Sequence, residues 1–335
     1  MNRHVNIPIF IPHLGCPNQC VFCNQRTISG VQEFDPADVG KTIESALSTV
    51  AADTECEIAF FGGSFTGIGN DLMQRLLSET EKFTRCGRVS AIRCSTRPDY
   101  INGEVLDILE RYGVRCIELG IQSVSDGVLS RCKRGHLASD TERACALIKE
   151  RGFTLGGQMM IGLPGATLED ELKTAEFIVS TGAKEARIYP TIVFRATELY
   201  DMTVASDYVP LTLEDAVARS AAVLEKFVKA GIKVLRIGLC DSDNLHSTDS
   251  YFAGPNHAAL GELVENRLYR TLIEKKIKTL SEVGAHLQIC VSPGHVSKVI
   301  GQNRQNKEYF VKKYSVTEFK VKEDPGILPY EIVIK

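Results

Sequence analysis

Short apolar runs rich in β-branched and aromatic residues alternate with stretches of helical periodicity from the amino terminus to about residue 240. That alternation is the pattern of βα units repeated around a parallel sheet. It predicts strands at 8–11, 57–61, 91–94, 116–121, 154–161, 185–189 and 233–237, and helices at 38–50, 71–83, 103–112, 139–151, 168–180 and 213–230. Asp38, Asp71 and Ser139 stand where N-cap side chains are expected. The runs Glu57-Ile-Ala-Phe-Phe61 and Met159-Met-Ile161 are nearly continuous in apolar character, as strands covered on both faces require. A barrel and an open doubly wound sheet both satisfy this pattern, and in both the ligands gather beyond the carboxyl ends of the strands. The loops that follow each strand are therefore where chemistry is expected.

Beyond Asn244 the pattern changes. Irregular connections around 246–256 lead to a predicted helix at 258–276, then strands at 287–291, 316–321 and 331–334 with a helical stretch at 295–314 between the first two. This reads as a small mixed α+β unit, and divides the chain into residues 1–245 and 246–335. No fixed-period repeat or low-complexity segment is present.

With 44% hydrophobic and 24% charged residues the composition is that of an ordinary globular protein. No apolar run approaches the roughly 18 residues of a membrane span, and no secretory signal pattern opens the chain. A cytoplasmic location without a membrane partner is expected. The net charge of −3 hides an asymmetry: residues 267–335 hold 13 Lys and Arg against 7 Asp and Glu. A basic segment either meets phosphates or solvates a surface.

Eleven cysteines without an export signal are expected to be reduced thiols. Three of them, in Cys16-Pro-Asn-Gln-Cys20-Val-Phe-Cys23, occupy a C-x3-C-x2-C spacing in the loop after the first strand. The other eight are dispersed, mostly in apolar runs, as core residues are. Two metal readings follow. One is zinc, with His13 as a fourth ligand. The other is an iron-sulfur cubane, which normally takes four cysteines for electron transfer and with three keeps one iron open to bind another molecule. A zinc staple serves a small module that lacks a core, whereas this loop opens a long βα array.

The cysteine spacing, with Phe22 before the last cysteine, resembles the signature of the radical S-adenosylmethionine (radical SAM) superfamily. Further matches follow in order: Gly62-Gly-Ser-Phe-Thr66, Ser95-Thr-Arg-Pro-Asp-Tyr100, Gly120-Ile-Gln-Ser123, Gly162-Leu-Pro-Gly165 and Arg187-Ile-Tyr-Pro-Thr191. Over about residues 5–240 they resemble most the radical domain of the elongator catalytic subunit, which modifies wobble uridine in tRNA, and more distantly oxygen-independent coproporphyrinogen oxidase. The remainder resembles the short extension of related bacterial radical proteins, with no acetyltransferase domain expected.

The resemblance implies an α/β fold, a partial (β/α)6-like radical SAM barrel followed by a small α+β carboxyl-terminal domain. It implies a 4Fe-4S cluster on Cys16, Cys20 and Cys23, and reductive cleavage of S-adenosylmethionine to a 5'-deoxyadenosyl radical with an electron donor such as a flavodoxin or ferredoxin. Gly62 and Gly63 would let backbone approach the methionyl amine. Ser64 stands where relatives often carry an acid. Gln122 would meet the ribose or methionyl group, and Arg134 the methionyl carboxylate. Gln158 falls where some relatives place an acid for the ribose, and Gly162 would admit adenine. Arg195, Arg236, Asp241 and Asp243 are candidates for the substrate side, although each also fits a surface or ion-pair role. Gly67-Ile-Gly69 lacks the remainder of a dinucleotide fingerprint.

The substrate class implied is RNA, chiefly tRNA. A small metabolite or tetrapyrrole is the alternative, and a non-catalytic iron-sulfur or zinc-binding accessory protein a third reading. Ser297 to Asn306 resembles the backbone-clamping loop of KH domains, with its second glycine missing.

Overall fold

The computed structural model describes residues 4–12, 14–16, 20–31, 33–240, 247–280 and 284–335. Seven parallel strands form one sheet in the order β1 (His4–Ile11), β2 (Glu55–Gly62), β3 (Ala91–Thr96), β4 (Val114–Gln122), β5 (Thr154–Ile161), β6 (Glu185–Pro190) and β8 (Lys233–Ile237). The seven strands expected up to residue 237 are all present, some lengthened by a few residues. The first and last strands do not pair among the described residues, so the sheet is a partial barrel. A short antiparallel pair, β7 (Val193–Phe194) with β9 (Tyr251–Ala253), lies outside it.

Strand alternation separates two environments. On one face Ile58, Phe60, Ile92, Ile117, Leu119, Met159 and Ile188 pack into a continuous core with the helices. On the other, charged side chains meet. Arg93 donates to Glu57 (2.6 Å), Glu118 (2.9 Å) and Glu185 (3.0 Å), while Arg187 donates to both oxygens of Glu118 (2.5 and 3.1 Å). Burial alone would raise the Glu118 carboxyl, but the hydrogen bonds and charge of Arg187, with help from Gln158 and Arg93, hold it below its ordinary range.

The helices depart from expectation at their ends. The predicted helix 71–83 is two, Asn70–Ser78 and Glu81–Arg85. At the break Thr80 is buried and its hydroxyl donates to the Leu77 carbonyl. None of the three expected caps forms. The Asp38 carboxylate takes Lys41 instead, Gly69 leads into the second helix, and Ser139 lies inside Ala138–Glu150. Side-chain caps form instead at residues such as Asn24, Asn102, Thr167, Thr197 and Thr212, each accepting a first-turn amide. The short helices Gln25–Ser29, Asp126–Arg131 and Glu198–Val204 were not expected.

In the carboxyl-terminal part, β10 (His286–Val291) lies between β11 (Glu318–Glu323), parallel to it, and β12 (Ile332–Ile334), antiparallel. The stretch expected as one helix breaks into Val296–Ile300 and Gln305–Tyr314, because Gly301, Asn303 and Arg304 all take positive φ. The long helix Leu260–Ile277 serves both parts. Its Val264 and Leu268 join the barrel core, and its Tyr269, Ile273 and Ile277 the core over β10. The expected division between 245 and 246 falls outside the described residues.

Candidate functional site

The cysteine segment leaves β1 and crosses the carboxyl ends of the strands. It is held there by backbone. The Val21 amide donates to the Cys132 carbonyl (3.2 Å), and the Val21 carbonyl accepts the Leu199 amide (2.8 Å), while the Val21 side chain is buried among Val128, Leu163 and Tyr208. On the other side the loop after β2 grips it. The amides of Gly63 and Ser64 donate to the carbonyls of Ile11 and Leu14, at 2.8 and 3.1 Å.

This grip explains the glycines. A methyl group on Gly63 would sit 2.1 Å from the Leu14 carbonyl oxygen, one on Gly15 2.1 Å from that of Ser64, and one on Gly67 2.3 Å from that of Gly15. Gly62 takes φ +110° against Ile11. The pair therefore admits the cysteine loop itself to close backbone contact, and Gly67, discounted from sequence as part of a loop, is required for the same reason.

Cys16, Cys20 and Cys23 line one cavity of about 650 Å3, together with Phe22, Gly62, Gly63, Gln122, Arg134 and Gln158. Ser64 and Gly162 do not line it. The Ser64 hydroxyl is buried against Thr96 (2.7 Å) and accepts the Arg97 amide (3.3 Å). The Gly162 amide donates to Glu171 and its carbonyl accepts the Tyr208 hydroxyl, both at 2.7 Å, which leaves its backbone fully used. A second cavity of about 480 Å3, walled by Phe10, Phe61, Ile192 and Phe194 and reached by Arg187 and Arg236, shares Phe22, Cys23, Gln122 and Gln158 with the first. Arg195 lines neither cavity. It donates to the Thr248 carbonyl and lies over Tyr200 and Phe252. Asp241 and Asp243 lie outside the described residues.

Several buried polar atoms at the first cavity have no hydrogen-bond partner: Gln122 Oε1, Arg134 Nε and Arg97 Nη1. Orphaned polar atoms cost free energy unless a ligand or solvent meets them, so three such atoms on residues that line one cavity fit a polar guest. Gln122 carries a second mark, a φ of +64° at the end of β4, where the register with β5 shifts. The Arg134 guanidinium donates from Nη1 to the Cys20 sulfur (3.3 Å) and from Nη2 to the Gly120 carbonyl (2.8 Å). A Cβ on Gly120 would stand 2.8 Å from that Nη2, so a side chain there would displace the guanidinium.

The donor set fits an iron-sulfur cubane. Burial raises the thiols of Cys16 and Cys23, the latter to about 12, so with no metal they are neutral, and metal ligation would displace their protons. Arg134 opposes this on both thiols, and Arg97 on Cys16. Among the described residues no three His, Cys, Asp or Glu side chains gather closely enough to share one metal ion. A cubane seats each thiolate on a different iron, so its ligands stand further apart than those of a single zinc. His13, the fourth ligand of the zinc reading, lies outside the described residues.

Sequence reasoning assigned no role to Arg97, which lines the cavity, or to Asp99 and His136 near it. Arg97 is 2% exposed and donates from Nε and Nη2 to the two oxygens of Asp99, at 2.9 and 2.8 Å. His136 is buried with neither ring nitrogen partnered, and burial and Arg134 lower it to about 4. Its 3.9 Å approach to Asp99 is therefore no ion pair at neutral pH. The Arg-x-Asp spacing inside Ser95 to Tyr100 was the signal that could have drawn attention to the first two.

A profile described as "Radical SAM superfamily" matches residues 10–178, and one described as "Radical_SAM C-terminal domain" matches 183–270. A tRNA uridine(34) acetyltransferase of Methanocaldococcus infernus is 30% identical, over 64% of this chain and 48% of that protein. Elongator complex protein 3 of Saccharomyces cerevisiae is 29% identical, over 48% of this chain and 29% of its own. The chain thus spans about half the length of the archaeal relative and less of the yeast one. A solved structure of the archaeal M. infernus Elp3 with an amino-terminal deletion superposes with a TM-score of 0.64 at 23% identity, covering 82% of this chain and 64% of that one.

Proposed function

The chain belongs to the radical SAM superfamily, and from that premise we propose that Cys16, Cys20 and Cys23 hold a 4Fe-4S cluster at which S-adenosylmethionine is reductively cleaved. The observation that carries the proposal is the cavity where the three cysteines meet the orphaned polar atoms of Gln122, Arg134 and Arg97. When bound, the reduced cluster supplies the electron that divides S-adenosylmethionine into methionine and a 5'-deoxyadenosyl radical.

The protein's part is to hold and to shield. The clamped Val21 and the interlocked Gly15, Gly63 and Gly67 fix the cysteine loop against the sheet. Gln122, at the end of β4, and Gln158, within β5, offer amide groups to the nucleoside half of the guest. Phe22 stands between the two cavities and, with Phe10, Phe61 and Phe194, gives the second an apolar wall that keeps water from a reactive carbon. The second cavity, entered past Cys23 and Gln122, is where the substrate is presented. The electron comes from an external donor such as a flavodoxin or ferredoxin. The substrate class is tRNA, a reading supported by the named activity of the archaeal relative and by the basic residues after 267.

Anaerobic reconstitution with iron and sulfide, followed by dithionite and S-adenosylmethionine, should yield 5'-deoxyadenosine in the wild type and none in Cys20→Ala. Zinc in place of iron in protein purified anaerobically would sink the proposal.

A further inference from the structure

The turn Gly301-Gln-Asn-Arg304 joins the two short helices of the carboxyl-terminal part, Val296–Ile300 and Gln305–Tyr314, and has no part in the cavities described above. Its φ is +81° at Gly301, +51° at Asn303 and +64° at Arg304. Consecutive residues other than glycine in the left-handed region are costly and persist only where the surrounding structure holds them. Two buried asparagines do so here. Asn306, 1% exposed, donates to the carbonyls of Asn266 (2.8 Å) and Val299 (3.1 Å) and accepts from Nε of Arg270 (2.9 Å). The Asn266 carboxamide, turned so that all its partners are met, accepts the Gln302 amide (2.9 Å) and donates to the Lys298 carbonyl (3.0 Å).

Where a KH module has G-x-x-G, this chain has G-x-x-R. Arg304 nevertheless keeps the left-handed backbone that a second glycine would favour, so the turn gains a cation without losing its course. Strand β10, the two helices with the turn between them, and β11 follow one another on a three-stranded sheet. Both helices pack on β11, whose outer edge pairs with no strand among the described residues and so keeps backbone donors and acceptors free. Residues 296–314 hold five Lys and Arg against one acid, Glu308. Lys298 pairs with Glu265 and Lys313 with Glu274, whereas the side chains of Arg304, Lys307 and Lys312 have no carboxylate partner among the described residues. Asn303, Arg304 and Gln305 are exposed.

A rigid, cationic turn near a free strand edge suits a phosphodiester chain whose bases are unpaired, since phosphates meet the turn and base edges meet free backbone groups. We propose that the carboxyl-terminal part clamps the backbone of an unpaired stretch of RNA on the turn Gly301 to Arg304, with Arg304 on a phosphate. This rests on the tRNA reading above and gives that substrate a site outside the barrel.

Fluorescence anisotropy on the full chain tests the clamp with an unmodified tRNA transcript and with a labelled single-stranded RNA octamer, free or annealed to its complement. The free octamer should bind several-fold more tightly than the duplex. Each phosphate contact to a single strand contributes about 0.7 to the slope of log affinity against log salt, so Arg304→Gly should lower that slope by about 0.7 and the affinity roughly fourfold at 0.15 M salt. Position 304 already takes positive φ, so glycine keeps the turn. Should that variant not fold, Asn303→Asp is read in its place, because a carboxylate at the exposed tip repels the same phosphates and should weaken binding several-fold. Lys276→Ala removes an equal charge about 15 Å along the helix from Asn266, beyond the screening length of about 8 Å, and should leave the slope as it is.

An undiminished slope in Arg304→Gly, an equal fall in Lys276→Ala, or a duplex bound as tightly as the free octamer overturns the clamp. If the transcript binds but Arg304→Gly leaves its slope unchanged, the clamp fails and the tRNA reading survives. If the octamer binds through Arg304 and the transcript does not bind, the clamp stands and the tRNA reading fails.

Discussion

At Gly63 one methyl group decides whether the cysteine loop can lie where it does, because the added carbon would stand 2.1 Å from the Leu14 carbonyl oxygen, well inside contact distance. The listener is backbone, which has nowhere to swing. Gly63→Ala should therefore displace the loop and lower the iron bound per chain several-fold, with helical circular dichroism nearly unchanged since the barrel core lies elsewhere. Full iron loading in that variant would show that the loop adapts. The glycine pair was legible in sequence as a place of close approach, but what approaches is the chain itself. Sequence cannot distinguish the two, since both demand the same absent side chain. Arg97 and Arg134 make the complementary case: each is one arginine among many until the fold buries it beside the cysteines' cavity.

At the scale of elements, the long helix Leu260–Ile277 couples the two parts of the chain. Adjacent residues serve different cores, Leu268 the barrel core and Tyr269 the core over β10. Leu268→Ala should cost about 2–5 kcal/mol, the usual range for a buried leucine whose site collapses only partly. Calorimetry should still record a single transition, because the helix cannot leave one core without leaving the other; two separated transitions would show that the parts are independent. The strands were readable in advance because an apolar run of about four to eight residues bounded by turns carries its own signal. Helix ends were not. Asp38 is a good cap by type, yet its carboxylate goes to Lys41, a competition set by side-chain geometry and not by residue preference. The break at Gly301 to Arg304 was hidden likewise, since Asn303 and Arg304 hold positive φ without being glycine.

Over the whole molecule, charge is divided as the chain is: residues 267–335 carry a net +6 and the rest −9. If that basic part meets tRNA phosphates, counterion release makes binding steeply salt-dependent, so a mobility shift should weaken at least about tenfold between 50 and 200 mM salt for two or more contacts. Binding that ignores salt, or none at low salt, would remove the RNA reading and return the small-metabolite alternative. No helix among the described residues is long and apolar enough to cross a membrane. What the sequence determined by itself was whatever is written locally: the βα alternation, the three cysteines on one loop, and the ordered motifs that carry the family resemblance. Only the tertiary structure decided which distant residues share a cavity and which glycines face backbone. Those outcomes depend on partners 30 to 115 positions apart, such as Ser64 with Thr96 and Cys20 with Arg134, and no local pattern encodes a contact of that separation.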